Sequence, residues 1–330
     1  MRTSTPEICA LFMRNVIAGD ELNSMSDRLE TLKGLADAAG PAKGRGFGAA
    51  LRPSRIGSVD AVRGLVIVLM ALDHVRDFFG DLGSQPTNLA STSVALFFTR
   101  WVTHLCAPAF FVLAGVSASL ARQHLSRGEL ARYLLTRGIW LILLELVVMR
   151  FALQFNFDYR VTVITVLWAL GWSMITLAGL LWLPTWAIAC FGAIMVAGHN
   201  TLDGLAPNQL SVLQPIWPFL HAPGVVLNDG KSIVVIAYVL IPWVAVTALG
   251  YALGGIYRWS STRRREFLIW LACAISIAFF VLRIFNVYGD PFVWSVRQDW
   301  LWTLMSFLNT NKYPPSLLFL LMTLGPILSC

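Results

Sequence analysis

The sequence has little charge for its length. Asp, Glu, Lys and Arg make up 13% of the 330 residues, 57% of the residues are hydrophobic, and the mean hydropathy is +0.66. Soluble domains carry about 25% charged residues, so this composition excludes an ordinary soluble domain. We therefore predict an integral membrane protein whose apolar surface is solvated by the lipid bilayer.

Cysteine is also scarce. The five cysteines lie far apart and mostly in apolar segments, at Cys9, Cys106, Cys190, Cys273 and Cys330. Because there is no CxxC pair and no metal-ligand spacing, we expect neither a disulfide framework nor a metal site. The sequence also lacks a nucleotide-binding glycine pattern, a P-loop, a His-Glu-x-x-His motif and an internal repeat.

Basic residues are concentrated in short runs between apolar segments. Positive-inside topology explains the net charge of +7 better than a nucleic-acid partner does, so no nucleic acid is expected to bind. With a cytosolic N-terminus, the inside loops contain Arg52, Arg55, Arg122, Arg127, Arg132, Arg137, Arg258, Arg263, Arg264 and Arg265. A polar chamber is then expected at the outer side of the membrane.

Apolar segments predict the fold class. They cover residues 59–79, 94–120, 134–153, 161–181, 185–198, 232–257, 267–286 and a last stretch from 316. We predict an all-α, polytopic transmembrane helical bundle of about eight spans within residues 55–330. The last stretch is barely long enough to cross a bilayer, so we expect a C-terminally truncated chain. Residues 1–54 are richer in charge and are predicted to be a flexible cytosolic N-terminal tail.

The first predicted span carries charge near both ends. At about 1.5 Å per residue, residues 59–79 are long enough to cross a hydrocarbon core of about 30 Å. The spacing predicts that Asp60, Arg63, His74 and Asp77 lie in one stripe of this helix. Since ionisable groups are costly in lipid, this stripe is expected to face the protein and to be functional.

His74 is the first catalytic candidate. An imidazole can remove a proton from an acceptor or hold an acyl group near neutral pH. Asp73 is its neighbour and Asp77 lies one turn further on, so a carboxylate can fix the tautomer of the ring. The alternative is a histidine at a helix end that is shielded by Asp77.

His104 is the second catalytic candidate. It lies in the run Trp101-Val-Thr-His-Leu-Cys-Ala-Pro108, beside a proline that frees backbone carbonyls. It can act as the base while His74 positions the substrate, or the two rings can pair across adjacent helices. The alternative is a histidine that is simply hydrogen-bonded within the helix bundle.

Arg63 is assigned to a cofactor-binding role. It lies about 16 Å from His74 along an unbroken helix, on the cytosolic side. A guanidinium binds phosphate or pyrophosphate well, which suits coenzyme A entering from the cytosol. An ion pair with Asp60 or Glu145 is the alternative.

Further polar residues are assigned to the acceptor site. They are Asp73, Arg76, Glu145, Arg150, Asn286, Asp290 and Lys312. Glu145 lies in the middle of an apolar segment and is expected to be neutral or paired, with a structural role favoured over a proton relay. Lys312 is suited to neutralise an anion.

Several of these segments resemble a known family. Arg63-Gly-Leu, followed by His74 eleven positions later, resembles the first-helix signature of integral-membrane acyltransferases. Five segments are similar to bacterial members of the heparan-alpha-glucosaminide N-acetyltransferase catalytic-domain family: 58–79, 98–115, 144–150, 282–291 and 307–316. The resemblance extends from about Arg55 to the last residue.

The resemblance implies an activity. The animal enzyme of the family moves acetyl from cytosolic acetyl-CoA to a terminal glucosamine across a membrane. Here it implies a bacterial inner-membrane acyltransferase, with acetyl-CoA as donor and an amino sugar or glycan as acceptor. There is one departure: the active-site histidine of the animal enzyme lies between the first two spans, and this sequence has none between Val75 and Val102.

Two other functions remain open. A proton-coupled transporter can use His74, Asp77 and Glu145 as a proton path. A membrane scaffold or sensor does not need the outer polar residues. The acceptor, the acyl group and the oligomeric state, a homodimer included, are not fixed by the sequence.

Overall fold

The computed structural model describes residues 57–80, 85–155, 157–205, 211–228 and 231–329. The predicted tail of residues 1–54 lies outside these ranges. The helices are α1 Gly57–Phe79, α2 Val94–Thr103, α3 Cys106–Ala121, α4 Arg127–Leu143, α5 Arg150–Gln154, α6 Val166–Leu180, α7 Thr185–Gly198, α8 Trp217–Leu220, α9 Leu240–Leu253, α10 Ser261–Phe285, α11 Trp300–Leu308 and α12 Leu317–Ser329. A π-helical turn, Leu144–Met149, joins α4 to α5, and 3₁₀ turns occur at His199–Leu202, Ser211–Leu213 and Gly254–Arg258.

Among the described residues, four helical stretches are long and apolar enough to cross a membrane. They are Val94–Ala121, Thr185–Leu202, Leu240–Arg258 and Ser261–Phe285. Two shorter helices, Val166–Leu180 and Leu317–Ser329, are also apolar. The chain is therefore a helical membrane protein, as predicted, whereas eight spans stay a prediction. Helix α1 is long enough to cross but carries Asp60, Arg63, Asp73, Arg76 and Asp77.

A small sheet corrects the all-α prediction. Strand β1 (Val161–Ile164) pairs in parallel with β3 (Ile233–Ile236), and β2 (Gly224–Asn228) pairs antiparallel with β3. The spans predicted to begin at residues 161 and 232 therefore each start with a strand. Short runs of Val, Ile and Thr favour strands, but hydropathy alone cannot distinguish them from the end of an apolar helix.

The core forms where α3 and α9 pack closely. Phe111 of α3 stacks on Trp243 of α9 with ring centroids 4.5 Å apart. A Cβ atom on Gly115 would overlap the carbonyl oxygen of Thr247, and one on Gly250 would overlap that of Val112. Glycine at these positions lets two membrane helices approach through their backbones. Helix α1 packs on α2 and α3 beside this core.

Candidate functional site

An ionic cluster joins α1 to α2. The Asp73 carboxylate accepts hydrogen bonds from Arg100 Nη1 at 2.8 and 2.9 Å and from Thr103 Oγ1 at 2.6 Å. Arg76 Nη2 lies 2.7 Å from the same carboxylate. These residues are three apart on each helix and therefore share one face. The cluster fixes α1 against α2 at the level of His104.

His104 is buried at the end of α2, with 4% of its surface exposed. Its ring packs edge-on against Phe319, with ring centroids 5.4 Å apart. Within the described residues, its Nδ1 atom is buried and has no hydrogen-bond partner. Buried polar atoms are almost always paired, so this nitrogen is a position where a ligand atom or water can bond.

A cavity of about 900 Å³ lies next to this cluster. Its lining comprises Arg76, Asp77, Arg100, His104, residues 85–90, Phe292, Val293, Arg297, Ser306 and residues 309–313. One side of the cavity therefore comes from α1 and α2, and the other from the segments that flank α11. This brings together His104, Arg76, Asp77 and Lys312 among the predicted site residues.

Lys312 is buried in the segment between α11 and α12, with 8% of its surface exposed. Its Nζ atom lies 5.3 Å from the centroid of the Tyr313 ring. Burial lowers the pKa of Lys312 from 10.5, and the positive charge of Arg100 contributes in the same direction. Burial raises the pKa of Tyr313, but the charges of Lys312 and Arg100 outweigh it, so this pKa lies below 10.0.

Arg283 holds the far wall of the cavity in place. Arg283 is buried, with 1% of its surface exposed. Its guanidinium donates hydrogen bonds to the carbonyls of Phe292, Ser306, Phe307 and Asn309 at 2.7 to 3.1 Å. One side chain from α10 thus binds both segments that flank α11. This explains how irregular backbone is satisfied at the cavity.

Asp290 and Asn286 are not among the residues that line the cavity, and their role in the acceptor site stays a prediction. Asp290 accepts from Phe292 N at 2.9 Å, from Asn311 N at 2.8 Å and from Ser316 Oγ at 2.6 Å. The Asn286 side chain binds both backbone groups of Trp294. Both residues therefore support the cavity wall through hydrogen bonds to its backbone, without lining the cavity.

The predicted stripe on α1 is correct for Arg63, which contacts α3, and wrong for His74. Val59 and Val66 are the buried positions of this helix, and Asp73 follows Val66 by another seven residues. His74 is turned by about 100° from that line and is exposed. Asp77 is 53% exposed in its side chain and lies 2.6 Å from Arg76 Nη2. The catalytic role of His74 stays a prediction, but its ring is not among the groups that line the cavity.

Arg63 lines a second cavity of about 700 Å³, which lies between α1, α3, α4 and α6. It binds Asp60 Oδ1 at 3.0 Å, the pair considered above as an alternative, and also the hydroxyl of Ser117. A second cation, Arg137, lines the same cavity and lies over the Tyr133 ring. Most of the other lining residues are apolar.

Glu145 and Arg150 lie away from the 900 Å³ cavity. Glu145 Oε1 accepts from the backbone N and the hydroxyl of Thr165 at 2.7 and 2.6 Å, at the start of α6. Arg150 donates to the carbonyl of Asp158 and lies over the Tyr159 ring. These contacts support β1 and α6 and favour the structural role for Glu145, while a role of either residue in the acceptor site stays a prediction.

Sequence reasoning missed Arg100 and Thr103. The signal was present, because Arg100 is an arginine within a predicted span and lies four residues before His104. An intramembrane arginine requires a partner, and Asp73 supplies it. No group of three or more His, Cys, Asp or Glu residues that could hold a metal occurs in the part of the chain that the structure describes.

Comparison with known sequences assigns the family. A search of curated proteins found no match. The sequence model of the family described as "Heparan-alpha-glucosaminide N-acetyltransferase, catalytic" matches residues 55–285. The matched segment is well over half of the chain and contains Asp73, Arg100 and His104. The chain therefore belongs to the heparan-alpha-glucosaminide N-acetyltransferase catalytic family.

Proposed function

We propose that this protein is a membrane N-acetyltransferase whose acceptor binds in the 900 Å³ cavity with its amine next to His104. The observation that carries the proposal is that His104 lines the cavity beside the Asp73 cluster and that its buried Nδ1 has no hydrogen-bond partner among the described residues. An acceptor amine must lose a proton as its nitrogen attacks an acyl carbon. A neutral imidazole with one free nitrogen is suited to take that proton.

The donor of the reaction is acetyl-CoA, which supplies an acetyl thioester when bound. Arg63 and Arg137 would hold its phosphates, because they place two guanidinium groups in a largely apolar cavity. Arg63 lies about 15 Å along α1 from Asp73. The phosphates and the acetyl group are at opposite ends of an extended ligand, which fits two binding regions separated along one helix.

His104 would take one proton from the acceptor amine as the new C–N bond forms and the C–S bond breaks. The departing thiolate then receives a proton, so that acetyl transfer releases free coenzyme A and leaves His104 neutral for the next cycle. Arg100 and Thr103 hold Asp73, and this cluster keeps α2 and its terminal His104 in a fixed position. Asp73 is thus a positioning residue for His104.

The cavity is assigned to the outer side of a bacterial inner membrane. Ser58, at the start of α1, lines one pocket together with Arg264 and Arg265 at the start of α10. The basic residues at the start of α10 therefore lie on the side of the membrane where α1 begins. Positive-inside topology makes that side cytosolic, and α1 ends on the other side, near the cavity. An amino sugar or glycan reached from outside is the acceptor that this geometry favours.

The test is release of free thiol from acetyl-CoA by purified protein in nanodiscs, with glucosamine as acceptor. We expect His104→Ala to lower kcat by about 100-fold or more, as for loss of a general base. His124→Ala is the matched control, because His124 is exposed beyond the other end of α3. Loss of activity in His74→Ala but not in His104→Ala would return the catalytic role to His74.

A wild-type protein that neither binds nor turns over acetyl-CoA with any acceptor would contradict the proposal. Proton-coupled flux in vesicles would then be the measurement to make, since it is the property of the transporter considered above. For the donor site, we expect Arg63→Ala and Arg137→Ala to raise the KM for acetyl-CoA more than the KM for the acceptor.

A further inference from the structure

The 900 Å³ cavity is strongly biased toward positive charge. Among the residues that the structure describes, four cationic side chains line it, from Arg76, Arg100, Arg297 and Lys312, against one carboxylate, from Asp77. Asp73 does not line the cavity but binds Arg76 and Arg100. When it is included, four cations still face only two carboxylates. A neutral amino sugar does not need this excess of positive charge.

The hydrogen bonds of the cluster leave part of its positive charge unpaired. Arg100 binds Asp73 through Nη1 with both carboxylate oxygens. Arg76 uses a single nitrogen, Nη2, for both Asp73 and Asp77. Its other terminal nitrogen, Nη1, is buried and has no hydrogen-bond partner among the described residues. A buried guanidinium N–H without an acceptor is a position that an anionic oxygen can fill.

Lys312 adds a second buried cation. It is 8% exposed, and no carboxylate of the described residues lies within 4.0 Å of its amine. Burying an ammonium group without a counter-ion is costly. Arg297 is exposed and lines the same cavity. The charges thus run from an exposed arginine to two buried cations.

We infer that the acceptor carries an anionic group, a phosphate or a carboxylate, which Arg76 and Lys312 bind while Arg297 attracts it from the cavity entrance. The inference rests on the proposed acetyl transfer to an amine in this cavity. The acceptor class is therefore an acidic amino sugar, with its amine at His104 and its anionic group toward Lys312. This anionic group would balance the net charge of the cavity.

The experiment compares three acceptors. Glucosamine has no anionic group, glucosamine 6-phosphate carries a phosphate, and muramic acid carries a carboxylate. The readout is thiol release from acetyl-CoA, expressed as the ratio of kcat/KM for each acidic acceptor to that for glucosamine. We expect wild-type protein to prefer at least one acidic acceptor by about 10- to 100-fold, as for one or two charge-assisted hydrogen bonds. The acidic acceptor that is preferred identifies the anionic group.

Two variants test the residues. Lys312→Met and Arg297→Met should each lower the preference for the acidic acceptor by about 10-fold or more. Arg297 is exposed, so its replacement keeps the test valid if Lys312→Met fails to fold. Arg160→Met is the matched control, because Arg160 is an exposed arginine that does not line the cavity. Lys312→Arg should retain the preference, because it keeps the charge.

Three results would overturn the inference. One is a wild-type enzyme that uses all three sugars equally well. Another is that Lys312→Met and Arg297→Met raise the KM for acetyl-CoA and leave acceptor preference unchanged. That result would assign these cations to the phosphates of the donor. The third is equal loss of preference in Arg160→Met.

Direct binding separates this inference from the proposed activity. If no thiol is released with any acceptor, calorimetric titration with glucosamine 6-phosphate and with glucosamine still measures the anion site. Tighter binding of the phosphorylated sugar, weakened in Arg297→Met, would support the site while the acetyltransferase proposal fails. Equal binding of both sugars would reject the site.

Discussion

Asp73 balances the charge of two arginines. Its carboxylate contacts Arg76, Arg100 and Thr103, and its side chain is only 14% exposed. When one partner of a buried ionic cluster is removed, the remaining charges lose their compensation. Asp73 therefore contributes to stability as well as to the position of His104.

We predict that Asp73→Asn lowers the free energy of unfolding by about 3 kcal/mol, because Arg100 loses its carboxylate partner and Arg76 keeps only the half-exposed Asp77. Asp60→Asn is a matched control on the same helix, since Asp60 also pairs with an arginine three residues later but both side chains are at least 40% exposed. We expect that control to cost less than about 1 kcal/mol. Denaturant unfolding in detergent micelles measures both, and equal losses would contradict the prediction.

Lys312 gives anion binding a pH dependence. Its lowered pKa means that its positive charge is lost at a lower pH than for an ordinary lysine. We predict that affinity for glucose 6-phosphate, which has no amine of its own, falls as the pH rises from 8 toward about 10. The sign follows because only the protonated ammonium attracts the phosphate.

The matching variant is Lys312→Arg, because arginine stays charged throughout this range. It should remove the part of the alkaline decrease that Lys312 causes and leave a smaller part from Tyr313, whose pKa is also lowered. Lys231→Arg, at an exposed position outside the cavity lining, should keep the full decrease. An unchanged profile in Lys312→Arg would assign the effect to another group.

At the level of the helix, the register of α1 determines which side chain enters the site. The sequence indicates a charged first helix, and the structure shows that Asp73 and Arg76 of this helix form an ionic cluster with Arg100. It does not indicate whether Asp73 or His74 faces inward, because Leu65, Ile67, Val68 and similar residues cover the exposed side as well. In a membrane protein both sides of a helix are apolar, so hydropathy cannot distinguish a lipid-facing side from a protein-facing side.

Some other parts of the fold can be predicted from the sequence, and some cannot. The apolar part of the helix 261–285 follows from its length and hydropathy, which predict a span over 267–286, whereas its basic first turns do not. The pairing of β1 with β3 joins segments about 70 residues apart and depends on contacts that no local pattern encodes. Likewise, no local pattern encodes the four carbonyl contacts through which Arg283 holds the cavity wall.

The close contact of α3 with α9 leads to a prediction about helix packing. Gly115→Ala should destabilise the protein by about 1–3 kcal/mol, because the added methyl group overlaps the carbonyl oxygen of Thr247. Gly179→Ala is the control, since Gly179 is also helical but has open space around its Cβ position. That change should be neutral or slightly stabilising. Thermal unfolding compares the two, and the reverse order would contradict the packing described.

At the scale of the whole molecule, α1 connects two cavities. The cavity lined by Arg63 and the one lined by Arg76 are separated by about 20 Å of helix, thirteen residues at 1.5 Å each. A donor and an acceptor that enter from opposite sides can therefore meet without either crossing the membrane completely. This arrangement requires that the two cavities open to different compartments.

We predict opposite accessibility for the two sides. In a variant whose five cysteines are replaced by serine, Arg297→Cys should react in intact cells with a membrane-impermeant thiol reagent. His124→Cys, in the turn after α3, should react only after the membrane is permeabilised. Mass shift on a gel measures the labelling. Labelling of His124→Cys in intact cells would reverse the proposed orientation.

The cavity wall is divided along the chain in a way that bears on how relatives should be compared. Asp73, Arg100 and His104 lie inside the segment that the family shares, residues 55–285, whereas Arg297 and Lys312 come after it. The shared segment thus contains the proposed base and Arg76, whereas two of the three cations inferred to select the acceptor, Arg297 and Lys312, lie after it. Classification by the shared segment would then group enzymes by their common reaction, while positions 297 and 312 would be the ones to compare when asking which substrate each enzyme modifies.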